Sequence, residues 1–245
     1  MNESTSGMRE FGQYLENVLT TQKPEIIEHE GRPYLMTTNG ISPILEPVAS
    51  SISVSTLTGL VDYIKSGIDS FNGILIHVVS PTVVKLLSRD AAPHMQRDTY
   101  MTASAAVPRI YFDSFMGQES FIIQSQSCFI QDSSDDLAIV VACAGNIRES
   151  AVKDTLDDGV SQVVSARSGV ARLSDVVVPK QVELTPLRTF AEINQPSSSF
   201  VFRIQDGPKM ALFEADGGAW KNAAMRWIKE YLSEELKAYS VSIIA

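Results

Sequence analysis

Apolar residues return every three or four positions between Trp220 and Leu236, a spacing that predicts an amphipathic helix. Trp220, Ala223, Ala224, Trp227, Ile228, Tyr231, Leu232 and Leu236 fall on one face, and Lys221, Lys229, Glu230, Glu234 and Glu235 lie mostly on the other. That stripe requires a covering surface, either this chain's own sheet or another copy. A shorter stripe, Phe11, Tyr14, Leu15, Val18 and Leu19, predicts an N-terminal amphipathic helix that starts after the polar MNESTSG leader and stops before Pro24. It can dock on its own domain or serve as an oligomer contact. Thr56 is placed to cap a third helix through Leu57, Leu60, Val61 and Ile64. Gln118 to Ile130, with Phe121, Ile122, Ser125, Cys128 and Phe129 on one side, predicts a fourth that the Asp132-Ser-Ser-Asp-Asp136 run breaks. Leu137 to Ala144 is apolar throughout, so periodicity leaves both buried strand and buried helix open.

Strand signals fill the rest of the chain. Arg32 to Thr38 and Ile52 to Ser55 are candidate strands, with a loop at Pro43 and Pro47 between them. Gly73 to Val79 is the clearest, and Thr82 to Leu87 follows after Ser80-Pro81, as an antiparallel hairpin or one kinked strand. Pro93 and Pro108 argue against a long regular element between Ser88 and Arg109. Ala151 to Leu156 and Val160 to Ala166 flank Asp157-Asp158-Gly159, a hairpin signal, and Phe200 to Ile204 and Met210 to Phe213 flank Asp206-Gly207 in the same way. Val176 to Val178, Gln181 to Leu184 and Ser240 to Ile244 complete the set. The pattern predicts an α+β fold: an appendage over residues 1–50 with the N-terminal helix, then one domain over residues 51–245. Its C-terminal half is β-rich, an antiparallel or mixed sheet with helices packed on it.

Composition narrows the function classes. In 245 residues, 44% hydrophobic and 20% charged usage is that of a folded domain. The formal net charge of −9 opposes a phosphate backbone, and the basic residues are dispersed, so nucleic-acid binding is disfavoured. Cys128 and Cys143 lie in apolar surroundings without redox or zinc spacing and read as buried thiols of a reducing cytosol. The acidic start is unlike a signal peptide, and LAIVVACAG, the longest apolar run, falls well short of the ~20 residues that span a bilayer. A cytoplasmic chain without membrane contact is expected.

The best carboxylate pair precedes the tryptophan helix. If Met210 to Phe213 is a strand, Glu214 and Asp216 share one face and could hold a divalent cation. The competing reading needs no ion: Asp216 caps the helix and the glycines permit the turn. Gly217 and Gly218 at a helix start also suit a phosphate, with Arg188 and Arg203 as cations, although the two acids upstream oppose an anion. No GxxxxGK[ST] or GxGxxG run occurs, and no cofactor is implied. Arg188, Arg203, Gln162 and Gln195 are polar groups set in β-rich segments, where structural or subunit contacts are the simpler account. Arg188 is expected to pair with Asp157 or Asp158. His29, His77 and His94 lack metal-ligand spacing, and no GxSxG elbow occurs. No catalytic set emerges.

Three patches carry a resemblance: Asp157 to Gln162, Leu184 to Phe190 with Gln195-Pro196, and Ala211 to Trp220. Their order and spacing are similar to those of the YfdQ-like phage and prophage proteins, a domain family without an assigned biochemical function, and Ser55 to Lys65 resembles that family's N-terminal helix. The resemblance covers mainly Phe112 to Leu236 and transfers no catalytic residue. It implies a phage or prophage origin and a host bacterial cytoplasm. The expectation is a non-enzymatic accessory protein that forms a homo-oligomer with a structural or sequestering role, its partners being itself and a host or phage protein. A small-molecule or nucleotide binder that counteracts host defence is the alternative, and a metal-dependent nuclease or recombination accessory factor is the second alternative.

Overall fold

Short alternating runs bounded by glycine and proline set the first strands. The computed structural model describes residues 12–13, 24–29, 32–37, 40–44, 49–69, 73–88, 97–131, 135–146, 152–157, 162–168, 171–172, 176–205, 207 and 209–245. The chain divides into two compact units, Met1–Ser50 with Asp90–Asp98, and Ser51–Arg89 with Thr99–Ala245. In the first, β1 (Glu25–His29), β2 (Arg32–Thr37) and β3 (Gly40–Pro43) form a three-stranded antiparallel meander. The candidate contact residues Phe11, Tyr14, Leu15 and Val18 lie outside the described residues. Of that segment only Gly12 and Gln13 are described, both helical and exposed.

The second unit starts with β4 (Ile52–Val54) and α1 (Leu57–Ser66), then β5 (Ile74–Ser80), β6 (Val83–Ser88) and β7 (Thr99–Ser104). Thr56 caps α1 as its position predicts, its hydroxyl accepting from the Gly59 amide at 3.0 Å. β5 and β6 are an antiparallel hairpin, which settles the choice left open at Ser80-Pro81. β7 was not legible, because Thr99-Tyr-Met-Thr-Ala-Ser104 alternates weakly and lies in a polar stretch. Next come β8 (Met116–Gly117), α2 (Gln118–Ser127) and α3 (Asp135–Asn146). The predicted helix from Gln118 thus stops at Ser127, short of Ile130. Phe129 leaves it to pair as an isolated bridge with Pro186. The apolar run at Leu137 is helical: Leu137, Val140, Cys143 and Ala144 are buried at helical spacing while Ile139 on the outer side is exposed. An apolar residue on the solvent face hid the period.

β9 (Val152–Asp157), β10 (Gln162–Ser168), β11 (Ala171–Arg172) and β12 (Val176–Val178) make a four-stranded sheet with β9 and β10 antiparallel, and Asp158 and Gly159 of the expected turn lie outside the described residues. β13 (Val182–Leu184), β14 (Ser198–Gln205) and β15 (Lys209–Glu214) are antiparallel, and β8 adds at the β15 edge. α4 (Ala219–Glu235) is the tryptophan helix, and β16 (Val241–Ile244) ends the chain. β16 lies parallel to β5 at one edge of a five-stranded sheet ordered β16-β5-β6-β7-β4. The fold is mixed α+β, and among the described residues no helix is long and apolar enough to cross a membrane.

Two hydrophobic cores form among the described residues. α2 and α3 cover the β13-β14-β15-β8 sheet through Phe121, Val140, Phe200, Phe202 and Leu212, with Phe121 stacked on Phe202 at 5.4 Å between centroids. α1 and α4 cover the five-stranded sheet through Leu57, Leu60, Ile76, Leu86, Ile228 and Leu232. The tryptophan helix therefore packs on this chain's own sheet, but not on the C-terminal sheet that precedes it. It crosses to the sheet built from earlier strands, where β16 joins it. Leu232→Ala should lower the unfolding free energy by about 2–5 kcal/mol, whereas Lys229→Ala on the outer face should stay within about 0.5 kcal/mol. Urea denaturation followed by tryptophan fluorescence checks both.

Candidate functional site

Residues 185–197, between β13 and β14, form a loop that touches both cores. Its start is tied to the end of α2: Ile130 N donates to Thr185 O at 2.9 Å and Leu187 N to Cys128 O at 2.8 Å. Its middle places Phe190 and Ile193 in the core under α1 and α4. The Thr189 hydroxyl donates to Pro81 O at 2.5 Å in the β5–β6 turn. Glu192 Oε1 accepts from the Thr58 amide at 3.0 Å, satisfying a free donor in the first turn of α1. Gln195 holds the loop's own backbone, its Oε1 accepting from Arg188 N at 2.9 Å and Thr189 N at 3.1 Å, and its Nε2 donating to Phe190 O at 3.0 Å. An irregular buried segment persists here because its amides and carbonyls find partners.

Arg188 sits at the centre, only 6% exposed. Its Nη1 donates to Glu214 Oε1 at 2.9 Å, and its Nη2 donates to Pro196 O at 3.3 Å and to the Ser198 hydroxyl. The guanidinium carbon lies 3.9 Å from the Trp220 ring centroid, a cation–π stack at the first turn of α4. The Ser198 hydroxyl in turn donates to Asp216 Oδ2 at 2.7 Å. Burial pulls Arg188 down to about 10, against the raising influence of Glu214 and Asp216, which leaves it cationic at neutral pH. Burial pushes the Asp216 carboxyl up, but hydrogen bonds from Ser198, Gly218 and Trp220 and the Arg188 charge outweigh it and hold the group below the ordinary carboxylate range.

Five of the predicted site residues, Arg188, Glu214, Asp216, Gly217 and Gly218, thus come together, but as a structural knot. The ion-pair partner of Arg188 among the described residues is Glu214; the side chains of Asp157 and Asp158, with which pairing was expected, lie outside the described residues. Gly218 holds the N-cap position of α4 in the left-handed conformation (φ 80°), and Gly217 precedes it in the same region (φ 61°), so a side chain at either would be strained. Asp216, two residues before the cap, supplies the acceptor: Oδ1 takes the Gly218 amide at 2.9 Å and Oδ2 the Trp220 amide at 3.3 Å. The amides a phosphate would use are committed to this carboxylate. Neither oxygen of Asp216 is left without a protein donor, and among the described residues no three His, Cys, Asp or Glu side chains gather around a cation-sized space. Arg203 stands apart, on the β14 face opposite Phe200, Phe202 and Ile204, with Nη1 bonded to Phe202 O at 3.2 Å.

A second feature escaped the sequence reading. Residues 109–116 run along α2 and line with it an open cavity of about 530 Å³. Its walls include Arg109, Tyr111, Phe115 and Ile123, and Met116, Gln124 and Cys128 also line it. The one available signal was the alternation Arg109-Ile110-Tyr111-Phe112, in which Ile110 and Phe112 pack on the α2/α3 core. Cys128 and Cys143 are both free and buried, and burial pushes the Cys143 thiol up. No protein-family model, curated protein or solved structure matches this chain.

Removing the guanidinium leaves Glu214 and Asp216 near an apolar core, so Arg188→Met should cost about 3 kcal/mol. Glu214→Gln in that background should recover part of the loss in a denaturation double-mutant cycle, because the two side chains share one interaction. Asp216 binds its proton less readily folded than unfolded. Its contribution is therefore full above the ordinary carboxylate value of about 4 and is lost as pH falls through the lower folded value. Asp216→Asn should flatten the acid limb of a urea-midpoint against pH profile, and an unchanged limb would assign acid sensitivity elsewhere.

Proposed function

We propose that this chain is a non-enzymatic accessory protein of phage or prophage origin, acting in the bacterial cytoplasm. It self-associates through its N-terminal unit in a structural or sequestering role. The observation that carries the reading is the β1-β2-β3 sheet. Ile26 is 67% exposed and Ile41 61%. Register places Ile26 opposite Leu35, and Met36 opposite both Glu25 and Ile41. Apolar side chains therefore emerge on both faces, and none of the side chains described in these strands is buried. A three-stranded sheet is stable when a hydrophobic face is covered. A second copy supplies such cover, and the outer edges of β1 and β3 offer backbone groups for pairing.

Support for the origin comes from the patches that resemble the YfdQ-like proteins. Leu184 to Phe190, Gln195-Pro196 and Ala211 to Trp220 meet around Arg188, so residues far apart in sequence share one structural task. Size-exclusion chromatography with light scattering tests self-association: at micromolar concentration the purified chain should elute with the mass of two or more copies. Ile26→Asp with Ile41→Asp should shift it to a monomer without changing the unfolding of the second unit. A strictly monomeric wild type overturns the proposal.

A further inference from the structure

The cavity beside α2 has the size and lining of a small-molecule site. About 530 Å³ lies within the ~300–1,000 Å³ range of ligand pockets. Alternate residues part here: Ile110 and Phe112 pack on the core, while Arg109 and Tyr111 line the cavity. Asp113 then turns the chain in the left-handed region (φ 57°), its amide donating to Leu212 O at 2.9 Å, and Phe115 beyond the turn also lines the cavity. Tyr111, Phe115 and Ile123 are 47%, 40% and 56% exposed. Three large apolar side chains open to solvent around one concavity favour a flat apolar guest.

The charge of the mouth is distinctive. Arg109 lies with its guanidinium carbon 4.7 Å from the Tyr111 ring centroid. The ion pairs among the described residues are Lys65–Glu235, Arg188–Glu214 and Lys237–Glu234, so Arg109 has no carboxylate partner there. In a chain of formal net charge −9, an exposed cation held over an aromatic ring beside an apolar slot is suited to an anion. Gln124 makes the wall rigid, its Oε1 accepting from Tyr111 N at 2.8 Å and its Nε2 donating to Tyr111 O at 3.3 Å. Both backbone groups of Tyr111 are thereby occupied, which removes them from strand addition by an extended peptide. Preorganisation of this kind favours a small ligand that arrives with its own shape.

We propose that this cavity binds a small planar anion, a flat ring carrying one phosphate or carboxylate group, with Arg109 on the anionic group and Tyr111 and Phe115 against the ring. The site lies wholly in the second unit and does not depend on self-association. Calorimetric titration of the full chain with adenosine 5′-monophosphate against adenosine, and with 2-naphthoate against 2-naphthamide, tests it. At least one anionic probe should bind about tenfold or more tightly than its neutral counterpart, as one charge-assisted contact provides. The preferred anion distinguishes phosphate from carboxylate. Arg109→Gln should abolish that preference, Arg109→Lys should keep part of it, and Ile123→Trp should block the probe while circular dichroism stays native. Absence of binding by every probe at millimolar concentration overturns the proposal. So does a preference that survives Arg109→Gln, or binding that survives Ile123→Trp.

Discussion

One buried cation organises the second unit. Arg188 belongs to no strand or helix, yet it bonds Glu214 at the end of β15 and Ser198 at the start of β14, and stacks on Trp220 at the start of α4. A guanidinium so thoroughly removed from water is costly unless its donors are used and its charge is opposed. Here Glu214 opposes it directly and Asp216 through Ser198. The planar fork of arginine suits this task, since one group can reach a carboxylate, a carbonyl and a hydroxyl while offering a flat face to an indole. Lysine would supply the charge without that geometry.

The consequence is a fixed direction for the chain as it leaves the C-terminal sheet. β15 ends in one core and α4 is buried in the other, with only Ala215 to Gly218 between them. Two left-handed glycines reverse the backbone and Asp216 collects the first amides of the helix. α4 is thus aimed at the five-stranded sheet, and its apolar stripe meets α1, Ile76 and Leu86. The loop that carries Arg188 also ties Thr189 to the β5–β6 turn and Glu192 to α1, so the same segment braces the five-stranded sheet and a helix packed on it.

The carboxylates and glycines before α4 resemble a metal or phosphate site in sequence because the residues that shape a tight turn are also those that hold ions. What decides between the roles is occupancy by the protein's own groups. Both oxygens of Asp216 accept from amides or a hydroxyl, and Glu214 Oε1 accepts from a guanidinium. The cavity beside α2 has the opposite character: among the described residues its arginine has no carboxylate partner, and its aromatic rings are partly bare.

Local chemistry was legible where a single segment settles its own form. The Thr56 cap, the β5–β6 and β14–β15 hairpins and the helical stripe from Trp220 all follow from spacing, turn residues and side-chain shape. β7 was lost because its pattern is weak and its stability comes from neighbours distant in sequence, and α3 was ambiguous because Ile139 is apolar on the outer side. The partner of Arg188, the sheet that receives α4, and the grouping of Arg109 with Phe115 and Ile123 are long-range facts. Sequence by itself determined which residues must be buried or must turn the chain, since those demands are local. Tertiary structure alone decided what they are buried against, because burial of apolar area is non-directional and a charge is indifferent to which opposite charge answers it until the backbone brings one within reach.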